Sequence, residues 1–336
     1  MIVHKNFPLK DFNTFGVNAK ADKYIELYNT SDVEEFSQKM YNPPVPLFIL
    51  GGGSNVLFTE DFKGTVVHSA IEDITLISED ETSVYIEAGS GIEWDDFVEY
   101  TVNKAWGGIE NLSDIPGCVG AAPVQNIGAY GVEAKDSITR VKAFNLIKKA
   151  WIEFSNAECE FGYRYSTFKK PENKNLLITH VTFKLSKVPV LNTSYGQLAA
   201  AFNKEKDKNV ASLRKVIKEI RSSKLPPVSE IASAGSFFKN PVLAGDVFES
   251  LCSDYPEIPF YKQENNLYKI PAAWLIEQAG LKGYKSGRVG TYEKQPLVIV
   301  NYNNASGKEI VDFSKSIQNK VFDKFGVRLE PEVCFI

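Results

Sequence analysis

A glycine turn early in the chain restricts the possible fold more than any other feature. Gly51-Gly52-Gly53-Ser54-Asn55 follows an apolar stretch at 45–50, which predicts a buried strand. Glycines let backbone N–H groups approach an anion closely, and serine and asparagine add side-chain hydrogen bonds. The turn therefore predicts either a phosphate cradle or a tight turn between strands.

The spacing after this turn excludes two well-known phosphate-binding folds. No Lys-Ser/Thr pair follows the glycines, and Val56 stands where the last glycine of a dinucleotide fingerprint would be. The next predicted strand, at 64–69, begins about ten residues after Gly53. Because that gap leaves no room for the helix of a Rossmann half, a dinucleotide bound here would need a different fold.

Short strands with glycine-rich turns continue through the first half of the chain. Strands are predicted at 45–50, 64–69, 83–88, 140–146 and 150–154. One helix interrupts them, with capping-box spacing between Ser90 and Glu93 and a predicted end at Gly107-Gly108. This order predicts an α+β fold rather than a regular βαβ repeat.

The second half reads as a separate, more helical region that begins near residue 210. The lysine-rich segment 203–224 carries an apolar stripe at helical spacing, and interleaved acids favour a solvated helix face over a nucleic-acid arm. Later helices are predicted at 272–279 and from Ser306, with Gly326 ending the second. The last segment, 327–336, alternates like a strand, with Glu330 and Glu332 on one face.

Composition excludes several classes of partner and of chemistry. The net charge of −4 gives no general attraction to nucleic acid or anionic lipid. No apolar stretch approaches the roughly 20 residues of a membrane span, and no secretory signal is recognisable, so we expect a cytoplasmic protein. The 4 cysteines and 3 histidines are scattered, which argues against disulfides, a metal site or a Ser/Cys–His pair. The chemistry must come from other groups or from a cofactor.

Three further segments favour a large cofactor over an isolated turn. They are Gly89-Ser90-Gly91 at a predicted helix start, the stretch 115–123, and the stretch 125–131. Each permits close backbone approach, and a helix N-terminus adds partial positive charge opposite a pyrophosphate. Any one of them alone is more typical of a structural turn.

Two segments carry potential catalytic groups. In 161–169, Arg164 lies among aromatic residues, a setting suited either to holding a carboxylate or enolate or to simple surface stacking. In 234–241, Ser236 lies in an apolar run with a lysine and an asparagine. Since no histidine is at hand to make it a nucleophile, Ser236 is either a proton donor or an ordinary turn hydroxyl.

Together the ordered motifs resemble one family, UDP-N-acetylenolpyruvoylglucosamine reductase, over essentially the whole chain. They are the NTFG stretch at 13–16, the turn at 51–55, IPGCVGAAPVQNIGAYG at 115–131, GYRYSTFK at 162–169, KLPP at 224–227, GSFFKNP at 235–241, AAWLIEQAGLKG at 272–283 and LEPEV at 329–333. The resemblance implies an α+β protein with a two-lobed FAD-binding unit of the vanillyl-alcohol-oxidase type and a C-terminal substrate domain. We expect lobes at 1–70 and 71–210 and a substrate domain at 211–326, with 327–336 returning to the first lobe.

The resemblance also implies a reaction. In this family NADPH reduces the flavin and leaves. The enolpyruvyl ether of UDP-N-acetylglucosamine then receives hydride from N5 at C3 and is protonated at C2, giving UDP-N-acetylmuramate for peptidoglycan. We expect a cytoplasmic monomer with FAD and NADPH, no metal, and no nucleic-acid or membrane partner.

Residue roles follow from matching positions. Ser236 resembles the family's proton donor, and Arg164 and Glu332 resemble the pair that stabilises the enol intermediate. The FAD contacts are expected at Gly51, Gly52, Gly53, Ser54, Asn55, Gly89, Gly117, Gly120, Asn126, Gly128 and Tyr130. The substrate contacts are expected at Tyr195, Lys224, Asn240, Tyr261, Lys269 and Gln295, with Tyr261 and Lys269 at the diphosphate and Tyr195 on a loop that closes over the substrate.

Two alternative functions keep the same fold. One is an FAD oxidase or dehydrogenase acting on another sugar or carboxylate. Two features argue against it: the GSFFKNP segment and the lack of a His or Cys in a flavin-attachment context. The other is a nucleotide-sugar binding protein without catalysis. That function would require loss of Arg164, Ser236 or Glu332, and all three are present.

Overall fold

The computed structural model describes residues 1–227 and 230–336, which divide into two compact units. Unit 1 comprises Met1–Phe7, Ala21–Gly53 and Phe62–Arg221, and unit 2 comprises Pro8–Lys20, Ser54–Asp61 and Ser222–Ile336. The three-domain division drawn from the sequence is not tested by this arrangement and stays a prediction.

The described residues contain the following elements. The strands are, in chain order, β1 (Ile2–Pro8), β2 (Lys20–Leu27), β3 (Leu47–Leu50), β4 (Val56–Leu57), β5 (Phe62–Ser69), β6 (Ile74–Glu79), β7 (Ser83–Gly89), β8 (Gly128–Ala129), β9 (Val132–Glu133), β10 (Ile138–Asn145), β11 (Ala150–Ser155), β12 (Leu176–Ser186), β13 (Ala232–Ser236), β14 (Val242–Ala244), β15 (Tyr261–Lys262), β16 (Leu267–Lys269), β17 (Lys285–Ser286), β18 (Val289–Thr291), β19 (Val298–Asn301) and β20 (Cys334–Phe335). The helices are α1 (Thr30–Glu35), α2 (Trp94–Asn103), α3 (Leu198–Phe202), α4 (Val210–Lys224), α5 (Gly245–Asp254), α6 (Ala272–Gln278) and α7 (Gly307–Phe325).

Unit 1 is built on two sheets. One has the order β1-β2-β5-β3, with β2 and β3 both parallel to β5. The other is an antiparallel sheet of order β11-β10-β12-β7-β6. The apolar face of α2 packs on this second sheet, where the rings of Phe97 and Phe183 lie 4.9 Å apart. The predicted strands of the first half are confirmed, with ends that differ by a few residues.

Unit 2 combines an antiparallel sheet of order β13-β19-β18-β17 with a three-stranded sheet, β14-β16-β15. Helix α7 buries Ile310 and Ile317 in the core of this unit. Its predicted ends are confirmed: Ser306 and Glu309 form a capping box, and Gly326 closes the helix with φ of 67°.

The predicted start and end of α2 are wrong. Glu93 itself precedes the helix, and the Ser90 hydroxyl donates to the Ser69 hydroxyl instead of capping. Ser90 cannot begin a helix because its carbonyl accepts the N–H of Gly120 in a strand-like ladder. The helix ends at Asn103, before the glycines, where Ala105 adopts φ of 59°.

The predicted C-terminal strand is too long. The strand comprises Cys334–Phe335 and pairs in parallel with β4, whereas the residues before it make a single bridge, between Pro331 and Phe238. Proline has no N–H to donate, so it interrupts a ladder at this point.

The lysine-rich segment is helical from Val210 onward. Lys215 on α4 is 58 % exposed, as a solvated helix face predicts, but Arg214 on the same helix is only 6 % exposed. The predicted solvated face is therefore confirmed at Lys215 and wrong at Arg214, which pairs with Asp95.

Candidate active site

Three glycine segments that are far apart in the sequence converge in unit 1. A Cβ on Gly52 would lie 2.7 Å from the Cα of Gly117, and one on Gly51 would lie 3.0 Å from the sulfur of Cys118. A Cβ on Gly120 would lie 2.5 Å from the Cβ of Ser90. Because all these distances are shorter than van der Waals contact, the segments approach this closely only without side chains.

Backbone hydrogen bonds join two of these segments into a short ladder. Trp94 N–H donates to Gly117 O (2.8 Å), Val119 N–H to Ile92 O (2.9 Å) and Gly120 N–H to Ser90 O (3.0 Å). The ladder leads directly into the first turn of α2.

Cys118 links this ladder to the glycine turn that follows β3. Burial raises the pKa of its thiol, which the backbone N–H groups of Ala121 and Gly52 contact as donors. The neutral sulfur thus holds the Gly52 backbone against the segment 115–123. The sequence carried no signal for this role, since cysteine in a glycine-rich stretch is also typical of simple packing.

The converging segments fit a dinucleotide pyrophosphate. The glycines carry no side chains at these contacts, and α2 begins shortly after Gly89-Ser90-Gly91. Gly51, Gly52, Gly53, Gly89, Gly117 and Gly120 are the members of the predicted FAD set that lie in these segments.

Asn126 and Arg164 hold the third predicted segment, 125–131, in place. The buried Asn126 amide donates to Gly162 O (3.1 Å) and to Glu133 Oε2 (2.9 Å). Arg164 Nη2 donates to Gly128 O (2.9 Å). A Cβ on Gly128 would lie 3.2 Å from the Arg164 guanidinium, so this glycine makes room for it.

Left-handed backbone conformations cluster around this segment. Asn126, Tyr130 and Arg164 have φ of 46°, 49° and 54°. Such conformations are unfavourable for bulky residues by roughly 1–3 kcal/mol each, and they concentrate at functional sites. Arg164 thus has a strained backbone, and its guanidinium both bonds Gly128 O and lies 5.4 Å from the centroid of the Tyr163 ring.

Tyr130 contacts the predicted substrate loop. Its ring meets the ring of Tyr195 edge-to-face at 6.1 Å, and Tyr195 is 43 % exposed. Asn111 joins the two stretches, since its amide donates to Tyr130 O and Asn192 O, both at 2.9 Å. Burial raises the pKa of the Tyr130 hydroxyl, although the Arg221 guanidinium opposes that effect.

The segments that carry Ser236 and Glu332 are hydrogen-bonded to each other in unit 2. Gly235, with φ of 66°, lies in an irregularity of β13 between Ser233 and Ser236, and Ser236 is exposed at the strand end. The N–H of Glu332 donates to the carbonyl of Phe237 (2.8 Å). The predicted proton donor and the predicted glutamate therefore lie on directly bonded segments.

The C-terminal segment is tied down on both sides of Glu332. Asn55 Nδ2 donates to Glu332 O (3.1 Å), and Cys334 N–H donates to Asn55 O (3.0 Å). The N–H and hydroxyl of Thr59 both donate to Ile336 O at 2.8 Å. Asn55, predicted as a cofactor residue, thus also holds the glutamate segment.

The other predicted substrate residues of unit 2 have varied surroundings. Lys269 pairs with Tyr261 across two strands, with its Nζ 5.8 Å from the ring centroid. Asn240 Oδ1 accepts the N–H of Ala272 (2.9 Å) at the start of α6. Lys224 is exposed at the end of α4.

Two buried oxygens of unit 2 make no hydrogen bond within the part of the chain that the structure describes. They are Gln295 Oε1, at a predicted substrate position, and the hydroxyl of Thr14. Buried polar atoms are rarely left unpaired, so such groups fit a site that a ligand completes. In the sequence, Thr14 is recognisable only as part of the NTFG stretch at 13–16.

Two family models match the chain. An FAD binding domain matches residues 21–146, and the C-terminal domain of UDP-N-acetylenolpyruvoylglucosamine reductase matches residues 226–336. Curated relatives match over full length. A UDP-N-acetylenolpyruvoylglucosamine reductase from Flavobacterium johnsoniae is 43% identical, covering 100% of both chains, and one from Bacteroides fragilis is 40% identical, covering 99% of this chain and 100% of the relative. The chain belongs to the UDP-N-acetylenolpyruvoylglucosamine reductase family.

A solved member of the reductase family shares the fold. The crystal structure of UDP-N-acetylenolpyruvylglucosamine reductase from Thermus caldophilus superposes with a TM-score of 0.71 at 22% identity, covering 100% of this chain and 99% of that one. The resemblance stated from the sequence is confirmed, as is the α+β class with an FAD-binding unit. This member of the reductase family is an FAD oxidoreductase. Every helix in residues 1–227 and 230–336 is too short or too polar to cross a membrane.

Proposed function

We propose that the chain reduces UDP-N-acetylenolpyruvoylglucosamine to UDP-N-acetylmuramate with NADPH, as a cytoplasmic monomer in peptidoglycan precursor synthesis. The observation that carries the proposal is the juxtaposition of Ser236 with Glu332, through the bond between Phe237 O and Glu332 N–H. The names of the full-length relatives supply the substrate.

The proposed FAD contacts are the residues of the converging glycine segments together with Ser54, Asn55, Asn126, Gly128 and Tyr130. FAD, when bound, supplies the hydride that the enolpyruvyl carbon takes up. The chain's part is to hold the pyrophosphate by backbone N–H groups and to keep the pocket walls in contact.

Arg164 is proposed to meet the negative charge that grows on the substrate carboxylate as hydride arrives. A guanidinium matches a carboxylate with two parallel hydrogen bonds, and its charge does not depend on pH. Its strained backbone and its bond to Gly128 O hold the group in place before the substrate arrives, so little reorganisation is needed.

Ser236 is proposed to deliver a proton to C2 of the substrate, with Glu332 stabilising the enol. A serine hydroxyl that gives up its proton becomes an alkoxide, which a nearby cation stabilises, and Lys224 is proposed for that role. Ser236 lies at the end of β13, directly after the irregularity at Gly235, and this fixed backbone position supports its role as donor.

The remaining contacts are proposed for binding and closure. Tyr261 and Lys269 would hold the diphosphate, and Asn240 and Gln295 would bond the substrate. Tyr195 would close over it and exclude water. The unpaired oxygen of Gln295 supports a ligand at that point.

The decisive experiment separates the two halves of the reaction under anaerobic conditions. The purified protein is treated with NADPH, its flavin absorbance is followed, and the enolpyruvyl UDP-sugar is then added. We expect bleaching by NADPH and return of the oxidised spectrum with the sugar. Bleaching without return would leave a flavoprotein with another acceptor, such as an oxidase of the same fold.

Ser236→Ala tests the proton donor in the same assay. We expect normal bleaching by NADPH and a return slower by about a hundredfold or more, because general acid catalysis contributes about 10²–10⁴-fold. Ser286→Ala, an exposed serine on β17 of the same sheet, is the matched control and keeps both phases. Equal loss of both phases in Ser236→Ala would contradict the assignment.

A further inference from the structure

The backbone ladder between residues 90–94 and 117–120 is followed at one end by a hydrogen bond to a side chain. Beyond the bond from Trp94 N–H to Gly117 O, the next residue of α2, Asp95, accepts the N–H of Asp114 through Oδ1 at 2.5 Å. Asp114 lies three residues before Gly117, at the entrance to the segment whose backbone touches Gly52.

One row of basic residues on helix α4 contacts Asp95 and Asp114. Arg214, Lys218 and Arg221 are spaced by four and three residues, which places them on one face of the helix. The Arg214 guanidinium makes a bidentate ion pair with Asp95, with Nη2 at 2.9 Å from Oδ2, and Lys218 Nζ lies 3.1 Å from the same oxygen. Arg214 is only 6 % exposed, so this pair is largely shielded from water.

The same helix also holds the other side of Asp114. Arg221 Nη2 donates to Asp114 O at 2.9 Å, and its Nε lies 3.4 Å from Asp114 Oδ2. Asp114 has φ of 61°, a conformation that needs support from its surroundings. Asp114 is therefore fixed at its N–H through Asp95 and at its carbonyl by Arg221.

The network is charged over the working pH range. Burial alone would raise the pKa of Asp95, but hydrogen bonds from Arg214, from the Asp114 backbone and from Lys218 outweigh it and lower the pKa to about 2. The acid and base groups of the proposed chemistry are other residues, although Arg221 also acts on the hydroxyl of Tyr130.

We propose that Asp95, held by Arg214 and Lys218, together with Asp114, held by Arg221, positions the Gly117–Gly120 wall of the cofactor cradle, so that FAD affinity depends on the docking of α4. This inference rests on the proposed FAD site. The backbones of Gly52 and Gly117 are in close contact, so a small shift of Asp114 would change the position of this wall and the shape of the proposed cradle. Residues that orient a binding group in this way affect affinity without touching the ligand.

The test is titration of FAD into the protein after its flavin has been removed. For Asp95→Asn, which keeps the shape and removes the charge, we expect an FAD Kd raised about tenfold. Asp95→Glu keeps the charge, so we expect it to weaken FAD binding less than Asp95→Asn does. Lys215→Met, on another face of α4 where the lysine pairs with Glu205, is the matched control and leaves the Kd unchanged.

A second variant and a second readout separate positioning from general destabilisation. Lys218→Met removes one exposed member of the row, and we expect it to fold normally and to weaken FAD binding about threefold. Circular dichroism at the titration temperature reports the folded fraction, and kcat at saturating FAD stays near that of the unaltered protein. Should Asp95→Asn fail to fold, Lys218→Met decides.

Folded Asp95→Asn with an FAD Kd within twofold of the starting protein would overturn the inference, as would equal weakening by Lys215→Met. Failure of the proposed function looks different. In that case the unaltered protein itself would not bind FAD, or would bind it without reducing the enolpyruvyl sugar.

Discussion

The cofactor cradle of unit 1 and the catalytic segments of unit 2 are built on opposite principles. In unit 1 the converging segments have no side chains at the contact, and the supporting polar groups, such as the Asn126 amide, are hydrogen-bonded within the protein. In unit 2 the key groups are side chains, and the buried oxygens of Thr14 and Gln295 have no partner within the described residues. The first region thus depends on close backbone contact without side-chain bulk, whereas the second depends on polar side chains.

The difference has a physical reason. A pyrophosphate is a fixed anion that backbone N–H groups bind well, so its site tolerates no added atoms. A reacting substrate changes charge during turnover, and side chains placed ahead of time stabilise that change. Added bulk should therefore damage the first region, and lost contacts or lost polar atoms should damage the second.

The largest expected effect comes from filling the cradle. In Gly52→Ala the new Cβ would lie 2.7 Å from Gly117 Cα, and overpacking of this kind costs about 1–3 kcal/mol. Because the strain falls on the FAD-binding segments, we expect the FAD Kd to rise about a hundredfold. Gly162→Ala is the control, since its Cβ would meet its nearest neighbour at an ordinary 3.7 Å. Tight FAD binding by Gly52→Ala would show that the close contact between Gly52 and Gly117 does not determine FAD binding.

Removing the last three residues, Cys334–Ile336, should affect unit 2 and spare the cofactor. It deletes the pairing with β4 and the bonds from Thr59 that hold the end of the Glu332 segment. A small misplacement of a catalytic group slows catalysis strongly, so we expect oxidation by the enolpyruvyl sugar to slow about thirtyfold while bleaching by NADPH persists. Thr59→Val, which removes one of those bonds, gives a smaller loss. Loss of FAD from the truncated protein would break the contrast between the regions.

Gln295→Met should stabilise the folded protein and weaken substrate binding. It replaces a buried oxygen without a partner by a thioether of similar size, so the free energy of unfolding should rise by up to about 1 kcal/mol. The KM for the enolpyruvyl sugar should rise about tenfold because a proposed hydrogen bond is lost. Thermal unfolding and steady-state kinetics measure the two effects. A variant that is less stable and binds substrate normally would show that Gln295 serves the fold alone.

The smallest effect is a pH dependence in unit 1. The pKa of Asp95 is lowered to about 2 in the folded protein from 3.8. Its stabilising contribution is thus fully present above about pH 4 and is lost as pH falls through 2. Urea unfolding of the protein and of Asp95→Asn should therefore differ by about 1 kcal/mol less at pH 2.5 than at pH 5, after allowance for partial exposure of the carboxylate. If the two free energies of unfolding differ by the same amount at pH 2.5 and at pH 5, the charge of Asp95 does not stabilise the folded protein.

Local features of the site could be predicted from the sequence because local rules govern them. The capping box at Ser306, the end of α7 at Gly326 and the exclusion of a Rossmann half after Gly53 all depend on neighbouring residues. The start of α2 could not be predicted in this way. Ser90 had the spacing of a cap, but its carbonyl is bonded to Gly120, about thirty residues away.

Arg214 shows most clearly what cannot be predicted from the sequence. In sequence it belongs to a charged helix face typical of solvent exposure, yet it is buried against Asp95, 119 residues away. Periodicity reports which residues share a face of a helix, and it does not report what docks on that face.

The sequence alone determined the family, the FAD-binding class and the residues proposed for catalysis, because these are carried by ordered motifs of adjacent residues. Tertiary structure alone brought the glycine segments into contact, bound Asn55 to the Glu332 segment 277 residues away, and docked α4 on Asp95. The physical reason is that the chain's local pattern fixes backbone conformation, whereas contacts between distant residues depend on how the finished elements pack.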